Sequence, residues 1–202
     1  MSGLRERKKH MTRTAIHDGA MRLFAERGFA GATIDQIAEA ANVSRATVFS
    51  YYPTKEDIVF GEAPQAIEAL AAALAATPEG GIVPAVREWL RQLTGWLEPD
   101  LLLQRRLARE VPDVGARRLQ MLRDVERVVA DALERELGPD QHFAARLAAA
   151  SLIAALGVAE DAAAAHLDQA GGAFDAARLD AFLDDAIAFA DAGMAALRAR
   201  RG

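Results

Sequence analysis

The sequence predicts an all-α protein, and three features of its 202 residues lead to that prediction. Alanine, leucine, arginine and glutamate are abundant while β-branched residues are few, a composition that favours helices. Apolar residues recur every three to four positions along most of the chain. Residues that cap helices stand directly before several of these apolar runs. With 51% hydrophobic residues, the chain can bury the cores of one or two domains.

The first predicted helix carries an apolar stripe at helical spacing, formed by Ile16, Ala20, Leu23 and Phe24. Gly28 is expected to end this helix in a left-handed conformation. Phe29 is expected to pack in the core that this helix forms with the next two.

Two short helices joined by a tight turn are predicted next. Thr33 and Gln36 form a capping-box pattern, so a helix begins there. Asn42 breaks the apolar run because it tolerates the left-handed conformation that a sharp turn needs. Ser44 is a second N-cap, and Pro53 ends the helix that follows it. The sequence therefore predicts a helix-turn-helix, whose second helix enters the major groove of DNA.

The second of these helices presents residue types that suit DNA. Arg45 can bond guanine through two hydrogen bonds, and Thr47 and Ser50 can reach base edges or phosphates. Tyr51 can donate to a phosphate and Lys55 can neutralise one. Spacing alone leaves a second interpretation open, in which two amphipathic helices simply pack together.

These residues belong to a longer pattern that runs without gaps from Leu23 to Glu56. Its members are Leu23, Phe24, Glu26, Gly28, Phe29, Thr33, Ile37, Ala38, Ala41, Val43, Ser44, Thr47, Val48, Phe49, Tyr51, Tyr52, Pro53, Thr54, Lys55 and Glu56. With this pattern the chain resembles the DNA-binding domain of the TetR family of bacterial transcriptional regulators. Asn42 stands where the family usually has glycine, and Phe49 where it often has tyrosine.

The resemblance implies DNA contacts at individual positions. Those that resemble phosphate contacts are Thr33, Tyr51 and Lys55. Those that resemble base-facing positions are Arg45, Ala46, Thr47 and Ser50. Phe49 cannot donate to a phosphate, so it is expected to pack or to touch a thymine methyl group.

The charge is unevenly distributed, which reconciles a net charge of −5 with nucleic-acid binding. Residues 1–60 contain nine Lys/Arg and seven Asp/Glu, giving +2, and residues 61–202 contain fifteen and twenty-two, giving −7. Local field steers association more than total charge does. The basic run of residues 5–13 is expected either to lie along the DNA backbone or to be a solvated helix start.

Several classes of function are excluded or disfavoured. The chain has no cysteine, so disulfides and thiolate metal sites are excluded and a reducing cytoplasm is permitted. Its four histidines never stand four residues apart, and neither a nucleophile elbow nor a glycine-rich phosphate loop occurs. Asp184 and Asp185 are expected to face water. We expect no enzyme activity, no metal and no cofactor. No secretory signal is recognised, and the apolar stretch Leu147–Ala159 is too short to cross a membrane.

The sequence predicts two domains, a helix-turn-helix DNA-binding domain at 1–53 and a helical-bundle ligand-binding and dimerisation domain at 54–202. Thr54 and Asp57 cap a fourth helix directly after Pro53, so no flexible linker intervenes. Pro64 is expected to bend or break that helix.

Five further helices are predicted in the second domain. They begin at Pro84, span Leu101–Glu110, run from about Val114 to Leu137, contain Leu147–Ala159, and run from about Asp175 to Ala199. Leu119 and Val125 are expected to mark the apolar face of the third, and the fourth is expected to be buried on most sides. The resemblance implies that the last two helices pair with a second copy. A two-fold dimer reads a palindrome whose half-sites are ~34 Å apart.

The middle helices are left to enclose a ligand. Candidate effector-binding residues are Trp89, Leu93, Trp96, Arg106, Leu107, Met121 and Leu122. The apolar members also suit ordinary core, and the arginines between 105 and 118 suit either anion binding or a solvated face. Residues 101–119 and the helices after them resemble the TetR regulators with an acyl-CoA-like ligand-binding domain, which implies an acyl-type effector.

The residues and the resemblance together predict a cytoplasmic, homodimeric repressor that binds a palindromic operator in double-stranded DNA. A small apolar or acyl-type effector would release it. The alternative is a helical ligand-binding or interaction module that does not bind DNA, and the basic first sixty residues distinguish the two.

Overall fold

The computed structural model describes residues 2–76, 81–82, 84–89, 100–169 and 176–199. Throughout these residues the regular secondary structure is helical, which confirms the all-α prediction. The chain forms two compact units. The first contains the described residues up to Pro64 together with Asp100–Gln120, and the second contains those from Gln65 to 89 and from Met121 onwards. Residues 54–64 thus belong to the same compact unit as the N-terminal helices. The predicted boundary between a DNA-binding and a ligand-binding domain after residue 53 stays a prediction.

The first unit is built around a long N-terminal helix, α1 (Ser2–Gly31), against which α2 (Ile34–Ala40), α4 (Lys55–Val59) and α6 (Leu101–Glu110) pack. The remaining short helix, α3 (Arg45–Tyr51), packs on α2. The predicted stripe of α1 is its buried face, since Ile16, Ala20 and Phe24 are fully buried. Gly28 has the expected positive φ of 73°, and the chain resumes helical form for three residues after it.

The predicted interruption near Pro64 is a complete break between two helices. Helix α4 ends at Val59, and α5 (Ala63–Ala76) begins before Pro64, which lies in its first turn. A proline is tolerated there because the N–H that it lacks would have no partner within the helix. Between them Gly61 has a φ of 53°, and a Cβ at this position would lie 3.2 Å from the His17 ring. The turn therefore needs glycine for both conformation and space.

The start of α4 is fixed by a network of hydrogen bonds around Asp57. Its carboxylate accepts from the Thr54 N–H at 3.0 Å, from the Thr54 hydroxyl at 2.7 Å and from Arg117 Nε at 2.5 Å. Burial would raise the pKa of Asp57, but these bonds and the charge of Arg117 lower it below its ordinary value. One predicted arginine of the 105–118 cluster thus binds an anion that belongs to the protein itself.

The second unit contains α5, a helical segment at residues 84–89, the larger part of α7 (Pro112–Leu137), α8 (His142–Gln169) and α9 (Ala176–Ala199). A 3-10 turn, Pro139–Gln141, joins α7 to α8, and α8 and α9 pack along each other. Leu70, Val129 and Ala149 are among the residues of its apolar core. The predicted helix from Pro84 is therefore described only in part.

Two expectations about burial are wrong. Leu119 was expected on the apolar face of α7, yet its side chain is 53% exposed in the first unit. Helix α8 extends well beyond Leu147–Ala159 and is buried on one face only, because Phe143, Leu147 and Val158 are exposed. Periodicity identified the helix but not how many of its faces are covered.

Helix α8 is longer than the predicted stretch Leu147–Ala159, which is too short to cross a membrane. Its window His142–Ala159 has a mean hydropathy of 1.6 and is long and apolar enough to cross a membrane by length and composition. This test is weak, since core helices of globular proteins pass it as well. In the second unit Ala145, Ala149 and Leu152 of this window pack in the core.

His17 connects three segments of the first unit. Its Nδ1 donates to the Ile58 carbonyl at 2.7 Å, and its Nε2 lies 3.3 Å from the Asp100 carboxylate. Burial would lower the pKa of His17, but the bonds to Asp100 and Ile58 and the charges of Asp100 and Asp18 together raise it. The folded state therefore favours the protonated ring.

This geometry predicts a pH-dependent contribution to stability. A raised folded-state pKa stabilises the protein fully below the unfolded value of about 6.5, and the contribution is lost as pH rises through the folded-state pKa. The free energy of unfolding of the wild type relative to His17→Gln should therefore be larger at pH 6 than at pH 8. Urea unfolding followed by circular dichroism between about pH 5.5 and 8.5 measures it. His142→Gln, at an exposed histidine in the second unit, is the control, and a difference that does not change with pH would contradict the assignment.

Candidate nucleic-acid interface

The predicted turn between α2 and α3 forms as the residues indicated. The Thr33 hydroxyl accepts from the Gln36 N–H, and the Gln36 side chain accepts from the Thr33 N–H at 3.0 Å, completing the capping box. Asn42 has a φ of 53°, and the Ser44 hydroxyl accepts from the Thr47 N–H at 3.0 Å. Each short helix is therefore capped by its own local sequence.

The inner side of α3 is anchored to α1. Val48 is fully buried, and Tyr52 directly after the helix is nearly so. The Tyr52 hydroxyl donates to the Arg13 carbonyl at 3.3 Å. The Arg13 guanidinium lies 5.7 Å from the ring centre of Tyr51 and 5.5 Å from that of Tyr52. These contacts fix which face of α3 is turned outward.

Arg13 is a functional candidate whose role sequence reasoning missed. Its position in the basic run predicts a cation that faces a phosphate or water. The structure buries it instead, on α1 against the two tyrosines at the end of α3. A signal was present, because Arg13 stands three residues before Ile16 and so lies on the apolar stripe of α1.

The outer side of α3 carries the predicted base-facing residues. Arg45, Ala46, Phe49 and Ser50 are exposed, while Thr47 is partly buried. The Thr47 hydroxyl lies 2.8 Å from the Ser44 hydroxyl, and Ser50 donates to the Thr47 carbonyl at 2.7 Å. Both hydroxyls are thus engaged in the helix itself, and Arg45 and Phe49 are the largest side chains that α3 presents outward.

Two of the three predicted phosphate contacts use their polar groups within the protein, and the ring of the third, Tyr51, lies 5.7 Å from the Arg13 guanidinium. Thr33 uses its hydroxyl in the capping box, as described above. Lys55 donates to the Phe29 carbonyl, and its Nζ lies 4.3 Å from the ring centre of Phe29 and 5.6 Å from that of Phe24. Burial lowers the pKa of Lys55, which the charge of Glu56 only partly offsets. A phosphate contact by Lys55 remains a prediction, and it requires the ammonium to leave this carbonyl or to share it.

The predicted effector residues fall into different parts of the chain. Arg106 and Leu107 belong to the first unit, where Leu107 is buried and Arg106 exposed. Trp89, Met121 and Leu122 belong to the second, and the Trp89 indole donates to the Ala66 carbonyl at 2.8 Å. The remaining two candidates, Leu93 and Trp96, lie outside the described residues.

The second unit has an apolar cavity that none of these predicted residues lines. Its walls come from residues 82 and 86, from α7, from α8 and from α9. The lining residues are Ile82, Val86, Val129, Leu133, Ala148, Leu152, Ile187 and Ala190. Every one of these side chains is a hydrocarbon, but the accessible space is only about 20 Å³, so an alkyl or aromatic group enters only if the lining helices move apart.

Comparison with known proteins places this geometry in a family. A family described as bacterial regulatory proteins, tetR family, matches residues 16–60. The HTH-type transcriptional regulator TcmR of Streptomyces glaucescens is 37% identical over 78 residues, which cover 39% of this chain and 34% of TcmR. The HTH-type transcriptional repressor AcnR of Corynebacterium diphtheriae is 30% identical over 127 residues, which cover 62% of this chain and 65% of AcnR. The matched part is thus less than two thirds of each relative.

A solved structure extends the likeness over both units. Thermus thermophilus FadR, a TetR-family transcriptional repressor in complex with lauroyl-CoA, has 25% sequence identity and a TM-score of 0.57. The match covers 90% of this chain and 94% of FadR. The helix-turn-helix at residues 16–60 thus matches the TetR family of bacterial regulators, and the described part of the chain resembles the all-helical fold of its member FadR.

Proposed function

We propose that this protein is a transcriptional repressor that binds a palindromic DNA operator as a homodimer in the cytoplasm and is released by a small apolar or acyl-type effector. The observation that carries the proposal is the orientation of α3. Buried contacts of Val48 and Tyr52 hold its inner face, and Arg45 and Phe49 project outward. A helix fixed in this way presents base-reading groups to the major groove.

Homodimerisation is supported by an exposed apolar face on α8. Its exposed residues recur every three to four positions and are Phe143, Leu147, Ala150, Ala154 and Val158. Helix α9 adds exposed Phe189 and several exposed alanines. Apolar surface of this extent favours burial against another subunit, and small residues let helices approach closely. A second copy of the same two helices is the self-complementary partner that two-fold symmetry supplies.

The apolar cavity and the likeness to FadR support the proposed effector. The cavity side chains offer no polar partner, so they suit the hydrocarbon part of a ligand, while any charged head group must bind elsewhere. FadR is described as bound to lauroyl-CoA, a ligand with such a hydrocarbon part. Effector binding would lower DNA affinity by changing the position of α4.

DNA binding is tested by its salt dependence and by Arg45. Affinity for a duplex enriched by the wild type from a randomised pool should fall steeply with salt, with a logarithmic slope near −0.9 per neutralised phosphate. Arg45→Ala should weaken binding to that duplex about tenfold, because a bidentate contact to guanine is lost. Fluorescence anisotropy measures both.

Arg127→Ala is the matched control for that experiment, since it removes the same charge at an exposed position in the second unit. It should leave the affinity unchanged. If the wild type enriches no duplex, the alternative function, a helical module that does not bind DNA, is correct.

The dimer is tested by placing a carboxylate on the α8 face. Val158→Glu, at a side chain that is 69% exposed in the isolated chain, should raise the dissociation constant of the dimer about 100-fold or more, because like charges meet in the interface. Sedimentation equilibrium measures this. Leu119→Glu, at an exposed leucine in the first unit, should not change the assembly. A Val158→Glu protein that remains dimeric would contradict the proposed interface.

The effector site is tested by filling the cavity. Ala148→Phe should abolish the release of DNA by lauroyl-CoA while leaving DNA affinity without it unchanged, at a stability cost of about 1–3 kcal/mol from overpacking. Anisotropy titrations with and without the ligand, together with thermal unfolding, measure both. Ala75→Phe, at an exposed alanine of α5, is the control. Release that persists in Ala148→Phe would place the effector elsewhere.

A further inference from the structure

We propose that Asp35 determines base specificity by positioning Arg45, an inference that rests on the proposed DNA-binding function. Asp35 lies in the first turn of α2, and Arg45 is the first residue of α3. One guanidinium nitrogen, Nη1 of Arg45, lies 3.4 and 3.2 Å from the two carboxylate oxygens of Asp35. Asp35 therefore holds the Arg45 guanidinium from one side.

Phe49 holds the same guanidinium from a second direction. It stands one helical turn after Arg45, and its ring centre is 5.6 Å from the central guanidinium carbon. Cation–π contact and the carboxylate together restrict a long side chain that otherwise samples many rotamers. The Nη2 and Nε donors are not used by the Asp35 contact. A guanine presents two acceptors, O6 and N7, to such a pair of donors.

The ion pair between Asp35 and Arg45 contributes little to the stability of the fold. The Arg45 and Asp35 side chains are 60% and 70% exposed, and exposed pairs contribute at most about 1 kcal/mol to stability. The angle between α2 and α3 is already set by buried Ile37 and Val48 and by the caps. A carboxylate on a surface that faces phosphates also lowers the affinity for DNA. Its contribution must therefore be sought in selectivity.

Selectivity follows from where an unrestrained Arg45 would bind. A free arginine reaches either a base edge or a phosphate, and phosphate contacts carry no sequence information. The Asp35 carboxylate accepts from Nη1 of Arg45 and repels the nearby phosphates of the DNA backbone. Both effects disfavour an Arg45 side chain bound to a phosphate. Asp35 therefore weakens binding to all duplexes while improving the choice of guanine over other bases.

The test measures whether Asp35→Asn raises the affinity for DNA in general while it lowers the preference for guanine. Duplexes enriched by the wild type from a randomised pool identify the half-site guanines, and each is then replaced by adenine. Anisotropy titrations compare the wild type, Asp35→Asn, Arg45→Ala and the double variant on these duplexes and on a random duplex. Wild type should prefer one guanine about tenfold. Asp35→Asn should reduce that preference about two- to fivefold and bind the random duplex more tightly.

A merely structural role would not produce this pattern. Asp35→Asn should have no further effect on base preference once Arg45 is alanine, because it acts through that side chain. Glu39→Gln removes a charge from the same helix at an exposed position outside the Arg45 contact, and should tighten random binding without changing base preference. Thermal unfolding confirms that each variant is folded.

Three outcomes would overturn the proposal. In the first, Asp35→Asn retains the full preference for guanine. In the second, Asp35→Asn lowers the base preference by the same factor whether residue 45 is arginine or alanine. In both cases the proposed DNA binding itself would stand. If the wild type enriched no duplex at all, the proposed function would fail together with this inference.

Discussion

The recognition surface depends on the burial of Val48 in α3 and of Tyr52, the residue directly after α3, whose hydroxyl donates to the Arg13 carbonyl of α1. Helices α2 and α3 have seven residues each, and isolated helices of that length do not persist in water. Their caps satisfy the terminal N–H groups but bury no apolar surface. Val48 and Tyr52 provide that burial, and the Arg13 guanidinium lies against the Tyr52 ring. The outward direction of Arg45 is thus a consequence of what α3 buries.

Features set by neighbouring residues could be predicted from the sequence. The caps at Thr33, Ser44 and Thr54 each join residues three positions apart, and all three form as expected. The left-handed Asn42 follows from one residue's own conformational preference, and Pro64 is tolerated in the first turn of α5 because of proline's own chemistry, while the break itself lies at Gly61. These local rules were sufficient for the fold class, the helix-turn-helix and most helix limits.

Contacts between distant residues could not be predicted in the same way. Tyr52 bonds a residue 39 positions away, Lys55 one 26 positions away and Arg117 one 60 positions away. A single sequence states that each is polar but not which group it meets. Leu119 shows the related limit for apolar residues, since helical spacing assigns a side chain to a face without saying whether anything covers it. The candidate DNA-contacting residues were therefore identified by type, while the support provided by Arg13 and Asp35 required the tertiary structure.

The energy that release requires favours an effector with a sizeable hydrocarbon part. Shifting a population from mostly DNA-competent to mostly released needs a preference of ~5 kcal/mol between the two states. Hydrogen bonds contribute about 1 kcal/mol each, and the lining of the described cavity consists of hydrocarbon side chains. Burial of a methylene group contributes ~0.8 kcal/mol, so roughly six such groups supply the difference if the released state alone admits them. A medium-length acyl chain meets this requirement, whereas a small polar molecule bound among Val129, Leu133 and Leu152 would lose its own hydration and gain no partner in return.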